Sequence, residues 1–403
     1  MTDRQIGQIQ LQANVGHTGV LIVGSGPCGL VLAKLLQQQL PAAQITLLER
    51  SNDEISNGSP LSASCATRLV SQNVSETATN MWFRTMESLG CIVEEADTNL
   101  SSTRERPRGW SRLSGQWKHY RSPIRGNLFA AMRAQAGGVT VLNGKAVDSL
   151  TVGSGSTGLV MQVNTQLGQE RIPCPNIIVL AVPVHETLRI TEALPLPRDV
   201  RLVLQRRGDE CEKRYCRTIR VDRATLLGRC LFEKFQAGKL RELDVSGTDA
   251  VGVLVLGQAG VFLLALADDL DGSDVSLHVH IHVHSNSSDA LEIDKLASWL
   301  TLWLSLDERE CHSISPSSDI LAFLQARPSA APLSPLREQS CIVVPICRDE
   351  SLSSSLGQSA VQSVVVLCGD WAVAESGGTV SGALLSAHKA ALLIASIAGR
   401  CAS

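Results

Sequence analysis

The sequence predicts an α/β domain assembled from both ends of the chain, joined to a second domain of mixed α+β sheet. Three observations predict it. A short β-branched run, GVLIV at 19–23, stops in glycines and is followed by apolar residues at helical spacing. A second buried-strand pattern, VVVL at 364–367, precedes a helix of small residues near the other end. Between them, 251–284 switches to longer extended segments, VGVLVLGQAGVFLLALA and VSLHVHIHVH, which read as a separate sheet.

Bulk properties narrow the classes. The chain has 403 residues, 44% hydrophobic and 19% charged, an ordinary globular composition. A formal net charge of −3 gives no broad positive field, so nucleic-acid binding is not expected. The 12 cysteines are scattered with no CxxC pair, which fits neither a disulfide scaffold nor a zinc ribbon, and a reducing, cytoplasmic setting is expected. Residues 1–17 are polar and carry Asp3 and Arg4, unlike a secretory signal. The apolar stretch at 20–36 is broken by Gly24, Gly26, Pro27, Gly29 and Lys34, so no membrane span is expected there.

The elements follow in order. Strand 19–23, a tight turn and a helix through Leu30, Ala33 and Leu36 lead to a second strand, QITLL at 44–48, closed by Glu49 and Arg50. The unit has the size of a βαβ element. Gly, Ser, Asn and Thr crowd 51–79, which reads as irregular. A helix is predicted at 127–136, strands at 139–142 and 177–182, the latter apolar enough to be covered on both faces. A helix is predicted at 291–304, a serine-rich loop at 351–363, and a last helix at 380–398.

Gly24-Ser25-Gly26-Pro27-Cys28-Gly29 follows a strand, opens a helix, and has Glu49 at the end of the next strand. This is the context of a dinucleotide-binding, Rossmann-like turn. Gly24 makes the turn, Gly26 lets the backbone approach a pyrophosphate, and Gly29 lets helix and strand pack closely. The helix N-terminus faces the phosphates, and Glu49 accepts from ribose hydroxyls, which disfavours a 2′-phosphate. At the other end, Cys368-Gly369-Asp370 ends a strand and Gly378-Thr379-Val380-Ser381-Gly382-Ala383 starts a helix. Asp370 is placed to bond ribityl hydroxyls, and the helix start near Gly382 to face a flavin ring's N1 and C2 carbonyl, where charge develops on reduction.

The segment order resembles the flavin-containing amine oxidase superfamily, most closely the renalases. VLIVGSGPCGL…LLER and CGDWAVAESGGTVSGALLSAHKAA carry the resemblance; GVTVLNGKAVDSL, NIIVLAVPVHETLRI, IRVDRATLLGRCLFEK and VSLHVHIHVH accompany it. It implies an FAD-binding domain formed by 1–80, 120–185 and 330–403, and a substrate domain formed by 81–119 and 186–329. It also implies that Gly24, Gly26, Gly29 and Glu49 hold the ADP half, that Val147 meets adenine through its backbone, and that Asp370, Val380 and Gly382 hold the flavin half. The family's Gly-Gly-Arg after the acidic strand end is replaced here by Asn57-Gly58-Ser59, leaving Arg50 or Arg68 to supply positive charge.

By that resemblance the activity is two-electron oxidation of a small molecule, reduced nicotinamide dinucleotides in isomeric forms being favoured, with hydride passing to flavin N5 and oxygen as acceptor. Oxidation of amines, desaturation, and flavin binding without turnover are the alternatives. Aromatics make up only 3% of the chain, with Tyr120 and Tyr215 the two tyrosines, which weighs against an aromatic amine cage. His278, His280, His282 and His284 alternate with aliphatics and share one face of a strand. Such a face is open to three readings, a solvated surface, a polar cavity wall or a metal site. Because residues two apart in a strand lie ~6.6 Å apart, one strand cannot supply a tetrahedral set, and no metal is expected. His278, His280 and Trp371 are the candidates for catalysis, Trp371 lying either near the ring or in the core, while His185 and Arg189 either reach the cofactor or begin an exposed helix.

Overall fold

The computed structural model describes residues 19–50, 92–95, 111–113, 116–121, 137–153, 158–222, 224–230, 253–256, 261–267, 278–285, 287–304, 314–316, 320–325, 340–347, 361–373 and 380–402. Its elements in chain order begin β1 (Gly19–Val23), α1 (Pro27–Gln39), β2 (Gln44–Leu48), β3 (Ile92–Glu95), β4 (Ser111–Leu113), β5 (Gln116–Arg121) and β6 (Thr140–Leu142). They continue with β7 (Ala146–Val152), β8 (Leu159–Thr165), β9 (Gly168–Pro173), β10 (Ile177–Leu180), α2 (Val184–Ile190), α3 (Arg198–Asp209) and β11 (Glu212–Asp222). The last are β12 (Val253–Leu256), β13 (Val261–Ala267), β14 (His278–Ser285), α4 (Ile293–Leu304), β15 (Ile314–Pro316), β16 (Leu321–Gln325), β17 (Ile342–Cys347), β18 (Val361–Leu367) and α5 (Val380–Ala402).

The chain divides into two compact units. The first comprises Met1–Ile55, Met132–Cys211 and Ala326–Ser403, the second Ser56–Ala131 and Glu212–Gln325. In the first, a six-stranded sheet runs β17-β18-β10-β1-β2-β6. Every pair is parallel except the edge pair β17–β18. β10 is buried at all four positions, as its unbroken apolar run predicts for a strand covered on both faces. α5 packs on α1, burying Ala387, Ala390, Ala391 and Ile394. By length and composition the stretch Gly382–Gly399 of α5 would cross a bilayer, but its buried small residues are those of a core helix.

A three-stranded sheet, β7-β8-β9, shares one core with the large sheet through Val147, Leu150, Met161 and Val163 against Ile178, Leu180 and Trp371. α2 and α3 add Val184, Ile190, Val200, Val203 and Leu204 to that core. For this reason the segment 186–211 belongs to the first unit and not to the second domain, where the resemblance places it. The second unit in turn takes 56–80 and 120–131, and β5 shows why at residues 120 and 121: Tyr120 and Arg121 pair with Val93 and Ile92 of β3.

The second unit's larger sheet follows β12-β13-β14-β11-β15, with β16 also on β11, and all its pairs are antiparallel. Of its members β12, β13 and β14 match the extended segments predicted across 251–284, while β11, β15 and β16 come from outside that stretch. β11 is buried at Ile219 and Val221, and β14 at Ser285. The helix predicted at 291–304 starts two residues later, after a 3-10 turn at Asp289–Leu291. The helix predicted at 127–136 lies outside the described residues, as do Asn57-Gly58-Ser59, Arg68, Gly378 and Thr379.

Candidate dinucleotide-binding site

The site forms where the parallel strands of the large sheet end. β1 stands between β10 and β2, so the chain leaves it in one direction to β2 while the later strands build up on its other side. A sheet of this kind opens a crevice at that reversal, beyond the carboxyl ends of its strands. The turn 24–26 after β1, residues 181–183 after β10, Cys368-Gly369-Asp370 after β18 and Glu49 after β2 all lie at this edge.

Gly24 takes φ +100, and a Cβ there would stand 2.6 Å from the Ala181 carbonyl oxygen, so only glycine fits both backbone and neighbour. Its N–H donates to the Leu48 carbonyl at 2.9 Å, tying the turn to β2. A Cβ on Gly29 would overlap the Gly24 carbonyl oxygen, which is how closely α1 seats on the turn. Gly26 differs: a Cβ there would meet nothing within 4 Å. It is the N-cap of α1 and provides no side-chain cap, and Pro27 occupies the first turn. The space beside Gly26 at the start of α1 is therefore open, and the orphan N–H groups of a helix start are the donors an anion placed there would use.

Ser25 braces the acidic wall of this cradle. Its N–H donates to Glu49 Oε2 at 3.1 Å, and its hydroxyl donates to the same oxygen. Arg50, exposed, pairs with Glu186 at 3.6 Å. Glu186 also accepts from Arg189 at 2.8 Å, and Arg189 donates at 2.7 Å to the carbonyls of both Val147 and Asp148. The Val147 carbonyl is thus already engaged by Arg189. His185 lies beside this chain of charges with its Nδ1 buried and unbonded, and burial, the largest influence, pushes its pKa down.

On the far side, Gly369 takes φ +148, and its N–H donates to the Ser386 hydroxyl at 3.0 Å, which donates in turn to the Ser340 carbonyl. Asp370 follows in a 3-10 turn, accepting the Trp371 N–H at 3.0 Å. Burial pushes the Asp370 carboxyl up to about 6, against the opposing pull of that bond and of Arg207. Gly382 is buried in the first turns of α5. The two halves of the site touch through their cysteines, Cys28 Sγ lying 3.6 Å from Cys368 Sγ.

Of the two readings open for Trp371, beside the ring or in the core, the structure takes the second. Trp371 is fully buried, and its indole N–H donates to the Val182 carbonyl at 3.1 Å, so it belongs to the core. His185 and Arg189 belong to α2, Arg189 reaching into the network around Val147. Of His278 and His280 the structure gives the backbone of β14 only. Among the described residues, no group of three His, Cys, Asp or Glu side chains converges as a metal site. Ser25, Ser386 and Arg207 escaped the sequence reading. Arg207 had a signal, since Val200, Val203, Leu204 and Arg207 recur at helical spacing and are all buried.

The sequence matches no family model and no curated protein. The fold does have solved counterparts. Cyclohexylamine oxidase from Brevibacterium oxydans IH-35A aligns with TM-score 0.53 and 13% identity over 95% of this chain and 100% of that one. A protein assigned as a protoporphyrinogen oxidase from Exiguobacterium sp. 255-15 aligns with TM-score 0.50 and 11% identity over 94% and 99%. The chain also spans 63% of the anhydrotetracycline hydroxylase OxyS from Streptomyces rimosus, covering 95% of its own length, with TM-score 0.46 and 15% identity. The first two likenesses fix the fold: a discontinuous Rossmann-like α/β domain with a second, mixed-sheet domain.

Proposed function

We propose that this protein is an FAD-dependent oxidoreductase acting on a small molecule with oxygen as the electron acceptor. The observation that carries the reading is the convergence of the Gly24–Gly29 turn, Glu49 and Gly369-Asp370 at one sheet edge, drawn from both ends of the chain. The residues fit the cofactor. The space at Gly26 is open, room that a side chain there would begin to occupy, and the uncapped start of α1 offers N–H groups to a pyrophosphate. Glu49, held by Ser25, would receive ribose hydroxyls, and Asp370 those of the ribityl chain. Arg50 adds positive charge beside Glu49, in place of the arginine that Asn57-Gly58-Ser59 lacks. When bound, FAD supplies two-electron redox chemistry.

Within this reading the favoured substrate is a reduced nicotinamide dinucleotide, including isomeric forms. Such a donor carries no acidic proton, so its oxidation asks for orientation rather than a general base. The absence of a convincing acid–base pair from the sequence and its 3% aromatics both support it. Amine oxidation is the second reading, favoured by the likeness to cyclohexylamine oxidase.

The test is the absorbance spectrum of the purified protein, taken before and after anaerobic addition of mixed dihydronicotinamide isomers and, separately, of a primary amine. Flavin bands that bleach with the dinucleotides and return in air are expected. Bleaching by the amine alone would select the second reading, and a protein that neither carries nor takes up FAD would overturn both.

A further inference from the structure

Arg189 uses every hydrogen-bond donor it has. Its Nε donates to Glu186 Oε2 at 3.0 Å, and Nη2 donates to the same oxygen at 2.8 Å. Nη2 also donates to the Val147 carbonyl at 2.7 Å, while Nη1 donates to the Asp148 carbonyl at 2.7 Å and to Asp148 Oδ1 at 3.0 Å. A guanidinium has five N–H donors, all in its plane, so its whole edge is engaged. Yet 46% of the side chain stays exposed. What remains open to a ligand is the flat face of the guanidinium and its aliphatic stem. Phosphate is a poor match, because it needs the edge that Glu186 and Asp148 already hold and the charge that they already balance. A planar cation that offers only its face suits a planar aromatic ring.

The position of that face decides which ring. Lys145 donates its N–H to the Glu49 carbonyl at 2.8 Å, so β7 starts against the end of β2, and Val147 and Asp148 follow within three residues. Arg50, directly after Glu49, pairs with the same Glu186 that Arg189 holds. Two routes thus join Arg189 to Glu49. A ribose held at Glu49 carries its phosphate on C5′ and its base on C1′, so the base lies beside Glu49 and away from the pyrophosphate. The Val147 carbonyl already accepts from Arg189 there, which weakens it as an acceptor for the edge of the base.

We infer that the face of Arg189 is the platform on which the adenine of the dinucleotide stacks, so that the base is held by its plane and not by its edge. This rests on the cofactor reading above. Every purine has the same flat face, so such a site tolerates changes at the edge of the base, and a lysine, with the charge but no plane, cannot replace the arginine. A clamp that only ties α2 to β7 would show neither property.

The experiment titrates the apoprotein of the full chain with FAD, with the hypoxanthine analogue of FAD, and with FMN, which lacks the nucleoside, following flavin fluorescence. In the parent the analogue should bind within a few-fold of FAD. Arg189→Ala should weaken FAD by about 5- to 150-fold, the range that stacking one base is worth, and leave FMN within a few-fold of the parent. Arg189→Lys should behave like Arg189→Ala. Equal loss of FAD and FMN in both variants would reduce Arg189 to a structural clamp. Unchanged FAD affinity in Arg189→Ala, or a loss of more than about tenfold for the analogue in the parent, would also overturn the proposal. The analogue needs no variant, so that arm decides even where Arg189→Ala fails to fold. A parent that takes up no flavin would bring down the cofactor reading itself, and the platform with it.

Discussion

Two glycines in one turn should fail in different ways. A methyl on Gly29 would overlap the Gly24 carbonyl oxygen and lie 3.1 Å from its carbon. The obstacle is backbone, which no rotamer change can clear, and Gly24 cannot retreat because it is itself fitted against the Ala181 carbonyl. Overpacking of this kind costs up to about 3 kcal/mol, of which alanine's better helix propensity returns about 1. Gly29→Ala should therefore lose about 2 kcal/mol, a fall of roughly 5 °C in melting temperature for a large domain. Gly26→Ala meets nothing within 4 Å and keeps an ordinary φ of −66, so its folding cost stays below about 1 kcal/mol. Its methyl instead occupies the phosphate cradle. Losing one charge-assisted N–H contact is worth about 1.5–3 kcal/mol, or a tenfold to hundredfold weaker FAD affinity. Scanning calorimetry of the apoprotein and flavin titration by fluorescence quenching separate the two effects. Unchanged FAD affinity in Gly26→Ala would refute the cradle, and a Gly29→Ala protein melting no lower than Gly26→Ala would refute the packing argument.

Two further outcomes follow from the same geometry. Asp370 has a folded pKa of about 6 against 3.8 for the free group, so the native state holds a proton that the unfolded chain has released between these values. Stability from this group falls as pH rises from about 4 to about 6, by no more than about 3 kcal/mol. Apo Asp370→Asn should therefore gain stability over the parent in urea melts at pH 7.5 but not at pH 3.5, while losing FAD affinity; an equal gain at both pH values would rule out the carboxyl as its cause. Burial pushes Cys341 up to about 12, and the Cys28 thiol's hydrogen bond, then burial, push Cys368 well up. Because the thiolate is the nucleophile, iodoacetamide at pH 8 should label neither in the native protein within the time that labels both in urea, as read by peptide mass spectrometry. Labelling of Cys341 at the same rate in both states would contradict its burial.

The parts of the site that could be read from sequence are those whose constraints are local. Gly24, Gly26 and Gly29 stand within one turn, and their roles follow from where a strand must stop and a helix begin. Trp371 could not be read this way. It adjoins Asp370, but in a 3-10 turn the next side chain departs in another direction, and its destination is the Val182 carbonyl, 189 residues away in sequence. The polar sequence RDVRLVLQRRGD likewise hid α3, whose buried stripe ends in Arg207 rather than in a hydrophobe. Placing 186–211 in the wrong domain has the same origin: membership of a core depends on partners in β7 and β10 that no window of the chain contains.

The sheet order also dictates when the site can exist. β18 lies beyond β10, two strand spacings or about 10 Å from β1, and it carries the Gly369-Asp370 half of the cradle. The N-terminal turn is drawn from residues 19–49 and seated on β6 and β10, yet its second wall arrives only after Val361 has entered the sheet. The Cys28–Cys368 contact spans 340 residues, and the α1–α5 packing closes a loop of similar length, a slow, non-local step. Such long-range closure favours late assembly of the complete pocket. A ligand that bridges both walls then stabilises the one contact set that joins the chain's ends, so cofactor binding should be coupled to the global unfolding of the first unit rather than to local order in the glycine turn.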